Sequence, residues 1–134
     1  MAALRVWVAS QPSGTVVMTE SDAAFESVAR IVPRNPESAQ IEFRFSNYGT
    51  FGLYIGAALR IDELPVSSSY LIEICGAVAR GDVDEQYWRS HQQLLRATTR
   101  LRLPSGDLVG TEHLGPFGMA GARAHEQRSY KPYG

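Results

Sequence analysis

Hydrophobic and polar positions change period several times along the chain. From Leu4 to Ser10 they alternate, with Leu4, Val6 and Val8 on one side and Arg5 and Trp7 on the other. Gln11-Pro12-Ser13-Gly14 is a turn signal and Thr15–Thr19 is rich in β-branched residues, so these segments predict a hairpin. Phe25, Val28, Ala29 and Val32 then recur at i, i+3, i+4 and i+7, which predicts a helix over Asp22–Val32 capped by Ser21. Asp22 and Glu26 suit the positive end of its dipole, and Pro33 and Pro36 close it. Gln40–Ser46 returns to period two: Ile41, Phe43 and Phe45 face one way, Glu42 and Arg44 the other. Asn47-Tyr48-Gly49 turns the chain into a second strand, Phe51–Gly56, with a continuation at Leu59–Ile61. After Pro65, Ser67 or Ser68 caps a helix running to about Arg80, with Leu71, Ile74, Cys75 and Val78 as its apolar face. Gly81 suits the left-handed residue just past a helix end. Asp82, Asp84 and Glu85 read as an acidic loop. Leu95–Leu103 alternates again, Pro104–Asp107 turns, and Leu108–Leu114 returns. A glycine-rich loop, Gly115–Gly121, precedes a tail.

Three hairpins separated by two helices predict an α+β fold: an antiparallel sheet built from hairpins with two helices packed on one face. The length of 134 residues fits a single domain over 1–134, with a tail at 122–134 that can stay flexible. A hydrophobic share of 44% is enough for a packed core and too high for a disordered chain. No apolar run is long enough to span a membrane, and one cysteine excludes an internal disulfide framework. Met1–Ala9 (MAALRVWVA) lacks the uninterrupted apolar run of a secretory signal, so the expected setting is a soluble cytoplasmic protein.

Net charge is −1, unevenly spread. Residues 1–85 hold six arginines against eleven carboxylates, a balance of −5; residues 86–134 hold seven cations against three carboxylates, a balance of +4. Such a chain does not resemble a nucleic-acid binder, which is strongly basic. An acidic front and a basic back can orient a protein partner.

No motif carries catalysis. His91, His113 and His125 stand too far apart for paired metal ligands. Cys75 sits mid-helix among apolar residues, where a thiolate has no support. The glycine-rich loop lacks the lysine of a phosphate-binding loop. The carboxylate clusters flank turns rather than a core. The sequence therefore assigns no catalytic residue, no metal ligand and no cofactor. What remains are residue types enriched at binding hot spots. Arg96, Arg100 and Arg102 share one face of a strand, Tyr87-Trp88 precede them, and Asp82, Asp84 and Glu85 offer an acidic strip.

The hairpin FRFSNYGTFGLYIG (Phe43–Gly56) and the helix-to-strand passage EICGAVARGDVDEQYW (Glu73–Trp88) resemble the layout of small bacterial immunity proteins of polymorphic toxin systems. That resemblance implies a cytoplasmic, non-enzymatic inhibitor that binds a toxin domain. On this reading Asp82, Asp84, Glu85, Tyr87, Trp88, Arg96, Arg100 and Arg102 are the partner contacts. The alternative is a small-ligand-binding protein or enzyme with a pocket between helices and sheet, where His91, Glu112, His113 and Tyr54 would converge. A homodimer joined through an edge strand is compatible with both.

Overall fold

The computed structural model describes residues 1–22, 25–90, 93–113 and 124–134. It has the expected α+β class, with antiparallel strands. A helix α1 (Ala2–Ser10) precedes β1 (Val16–Asp22), β2 (Glu26–Pro33), β3 (Ile41–Ser46), β4 (Thr50–Ile55) and β5 (Leu59–Pro65). These five strands pair in chain order as a meander. A helix α2 (Ser68–Ala79) leads to β6 (Val83–Ser90), β7 (Gln93–Leu101), β8 (Leu108–His113) and β9 (Ala124–Ser129), which form a second sheet of order β8-β7-β6-β9. None of the described helices is long and apolar enough to cross a membrane.

Cross-strand rows explain the core. Ile31, Ile41, Ile55 and Leu59 stand side by side on β2–β5, and Ala29, Phe43, Leu53 and Ile61 form the next row. This face packs under the helices. Leu4 and Trp7 of α1 and Leu71, Ile74, Cys75 and Val78 of α2 join one buried cluster with it, and Val83, Leu101 and Leu103 extend the cluster to the second sheet. The second helix starts and stops as its sequence predicts. The Ser67 hydroxyl accepts the Tyr70 N–H at 3.4 Å, and Gly81 follows the helix at φ 82°.

Four expectations need correction. Residues 4–10 are helical rather than extended, because the buried pair is Leu4 and Trp7, one helical turn apart, while Val6 is 68% exposed. Residues 26–33 form a strand rather than a helix. Ala29, Ile31 and Pro33 are buried in alternation, and Phe25, counted in the helical stripe, is 81% exposed. Asp84 and Glu85 of the expected acidic loop lie in strand β6, just after Asp82, and point to opposite faces. The tail contributes strand β9 and a packed end. Tyr133 is buried, its hydroxyl donates to the Ala39 carbonyl at 2.7 Å, and its ring meets Trp7 edge-on at 6.4 Å. The glycine-rich loop at 115–121, with His91, lies outside the described residues.

The sheets meet where the turn between β4 and β5 abuts β6, β7 and β8. Ala57 N–H donates to Glu85 Oε2 at 3.3 Å and Ala58 N–H to Thr99 Oγ1 at 3.0 Å. Gly110 of β8 packs directly on this turn, where a Cβ would fall 2.2 Å from the Ala58 carbonyl oxygen.

Candidate functional site

The outer face of the second sheet gathers most of the predicted contacts. Register aligns His125, Trp88, Arg96 and His113 across β9, β6, β7 and β8. The next row is Gln127, Gln86, Thr98 and Thr111, and the third is Ser129, Asp84, Arg100 and Val109. Period-two alternation from four strands thus puts Trp88, Arg96, Arg100 and Asp84 on one surface.

Three members of the first row stack on one another. The Trp88 and His125 rings lie 4.9 Å apart, and the Arg96 guanidinium sits 4.7 Å from the indole centre. Arg96 Nε is buried without a hydrogen-bond acceptor among the described residues, so the indole face is its partner. In the middle row the Thr98 and Thr111 hydroxyls bond at 3.1 Å. In the third, Arg100 is exposed and forms no ion pair among the described residues.

The arginine strip and the acidic strip are not two separate surfaces. Arg102 pairs with Asp84 through Nη1 and with Asp82 through Nη2 at 3.6 Å, and Arg80 reaches Asp82 at 3.2 Å. Each charge strip partly neutralises the other, while Arg100 in the third row is exposed and has no ion pair among the described residues.

Glu85 and Tyr87 do not belong to the contact face, because both lie on the inner side of β6. Glu85 is fully buried, and its carboxylate accepts the Tyr87 hydroxyl at 2.6 Å, the Ala57 N–H and the Tyr130 hydroxyl. Burial, reinforced by the bond to Glu85, pushes the Tyr87 phenol up to about 12 and raises Tyr130 as well. Gly56 adopts φ 60° beside this carboxylate, and a Cβ there would stand 2.5 Å from Glu85 Oε1. A buried carboxylate with three donors on it ties β4–β5, β6 and the chain's last segment together. It is a structural clasp, and the sequence signal for it was weak: one acidic residue two positions before a tyrosine.

The residues of the pocket reading do not converge. Glu112 and His113 are neighbours on β8 and so face opposite sides, Tyr54 stands on the first sheet, and His91 is outside the described residues. Among the described residues no three His, Cys, Asp or Glu side chains gather as metal ligands. Cys75 is a core thiol, pushed up to about 12 by burial.

Sequence reasoning missed a second polar surface. Arg30, Arg44 and Arg60 line a depression on the outer face of the first sheet. The reading of Asp22–Val32 as a helix hid it, since only a strand brings Arg30 beside Glu42. Comparison of the chain with family models, with curated proteins and with solved structures finds no match.

Proposed function

We propose that the chain is a non-enzymatic protein-binding domain, an immunity-type inhibitor whose outer face on the second sheet occludes a partner toxin. The expected setting is bacterial and cytoplasmic. One observation supports this reading above the others: Trp88 is held between Arg96 and His125 in a single cross-strand row, with exposed Arg100 on the same face. Trp and Arg dominate binding hot spots, because a large rigid ring and a planar cation exclude water at little cost in ordering. Here the sheet fixes both before a partner arrives. Three rows over four strands span roughly 14 by 13 Å by strand spacing and rise. That is the centre of an interface and not its whole area, which takes about 800 Å² per partner. The Asp82–Asp84–Arg102 end would supply the rim.

The test is quantitative capture from host lysate with the wild type and with Arg100→Glu, a position whose side chain is exposed. The reading expects one toxin-like partner at stoichiometric yield. It expects the variant to lose about 2 kcal/mol of affinity, roughly thirtyfold in Kd, with Tm moved by no more than about 2 °C. Undiminished capture by the folded variant removes this face from the reading. Absence of any stoichiometric partner removes the inhibitor reading itself.

A further inference from the structure

We propose that the outer face of the first sheet carries a binding site for a small phosphorylated molecule, held between Arg30, Arg44 and Arg60. The site lies on a different sheet from the partner-binding face and does not rest on that reading. Register places Arg30, Glu42, Tyr54 and Arg60 side by side on β2, β3, β4 and β5. Arg44 stands one pleat further along β3, opposite Gly52. These side chains line an open depression of about 370 Å³. That volume is in the range of small-molecule sites.

The arginines are fixed by contacts that leave donors over. Arg30 Nε donates to Glu42 Oε1 at 2.6 Å, and Arg44 Nε donates to Glu42 Oε2 at 2.7 Å. Glu42 therefore holds both guanidinium groups by their inner edges. Their terminal Nη groups make no hydrogen bond among the described residues. Arg44 packs over the Tyr54 ring at 4.6 Å and Arg60 over the same ring at 5.5 Å. Arg60 Nη1 also donates to the Leu59 carbonyl at 2.8 Å and the Ile55 carbonyl at 3.4 Å. The Tyr54 hydroxyl donates to Asp62 Oδ1 at 3.1 Å, which anchors the ring that both arginines cover. Side chains set in this way lose little freedom when a ligand binds.

Charge selects the ligand class. The depression sets three arginines against one carboxylate, Glu42. An adjoining depression of about 360 Å³ shares Gln40 and Gly56 with it and adds Arg128. Among the residues that line the first depression the surplus is two positive charges, with Asp62 and Glu26 beside it and Glu85 in register with Arg128. A phosphoryl dianion neutralises that surplus at a single group, which a carboxylate does not. Paired guanidinium N–H groups also match the oxygen spacing of phosphate as bidentate donors.

The test is a titration of the full chain with inorganic phosphate and with pyrophosphate at constant ionic strength, read from backbone amide NMR shifts. Succinate, a dianion built from two carboxylates, is titrated in parallel. The proposal expects saturable shifts around residues 30, 42, 44, 54 and 60, with pyrophosphate tighter than phosphate and succinate weakest. Arg44→Gln and Arg60→Gln should each weaken pyrophosphate about tenfold, and Arg100→Gln on the other sheet should leave it unchanged. The amide spectrum of each variant reports its folding. Arg44, whose side chain is 41% exposed, gives the decisive variant if Arg60→Gln disturbs the turn it caps. No saturation with either phosphate probe overturns the site. Succinate binding as tight as pyrophosphate overturns the phosphoryl assignment.

Discussion

At the scale of the residue, Glu85 governs the junction of the two sheets. Tyr130→Phe removes one of its donors and leaves the carboxylate buried with two. We expect a loss of about 1–3 kcal/mol, read as a lower urea midpoint. The same clasp sets an alkaline limit. Tyr87 and Tyr130 are raised in the fold, so the unfolded chain gives up its phenolic protons first, near the ordinary value of about 10. Their stabilising contribution is complete below that pH and falls as pH rises towards the folded values. Tyr130→Phe should therefore show a shallower loss of stability above about pH 10 than the wild type, measured by urea midpoints across a pH series. None of this was legible in the sequence. Glu85 read as solvated because Asp82 and Asp84 flank it, yet a single pleat separates a surface carboxylate from a buried one. Arg96 and Arg100, by contrast, were legible as sharing a face, because alternation along one strand fixes it; that Trp88 joins them depends on the β6–β7 register.

At the scale of the element, short segments without clear punctuation were the weak point. Residues 2–10 satisfy both a strand and a helix pattern, and only the burial of Trp7 with Leu4 decides between them. In Asp22–Val32, the i, i+3, i+4, i+7 spacing of Phe25, Val28, Ala29 and Val32 matched a helical stripe, whereas the buried residues of the strand are Ala29, Ile31 and Pro33. Longer or better punctuated segments read true: α2 has its serine cap and terminal glycine, and β3 and β7 alternate throughout. Strand β8 carries an element-level prediction. Its Gly110 touches the backbone of the β4–β5 turn, and a Cβ would lie 2.7 Å from Leu59 Cα as well as against the Ala58 carbonyl. Backbone cannot swing aside as a side chain can, so Gly110→Ala should cost about 3 kcal/mol by forcing the sheets apart. Val109→Ala next to it, on the exposed face, should stay within about 0.5 kcal/mol. Thermal unfolding of the pair separates steric contact from strand propensity.

At the scale of the whole molecule, the last residues act as a strap. Beyond β9, Tyr130 N–H bonds the Val83 carbonyl, Lys131 N–H the Glu37 carbonyl and Tyr133 N–H the Ala79 carbonyl. The chain end thereby joins β6, the β2–β3 connection and α2, while the Tyr133 ring reaches α1 through Trp7. Tyr133→Ala should cost about 3–5 kcal/mol, as for other buried aromatics, and Tyr133→Phe about 1 kcal/mol for its hydroxyl bond. Paired denaturation curves distinguish the two. The sequence could not show this strap, since its partners lie far off along the chain and nothing in SYKPYG marks it as core. The β4–β5 turn has a consequence of another kind. Ala57 and Ala58 give their amide protons to side chains of the opposite sheet, not to a strand ladder. Fraying of either sheet would leave those two protons protected, and only separation of the sheets would release them to solvent. Their deuterium uptake is a built-in gauge of how often the two halves part.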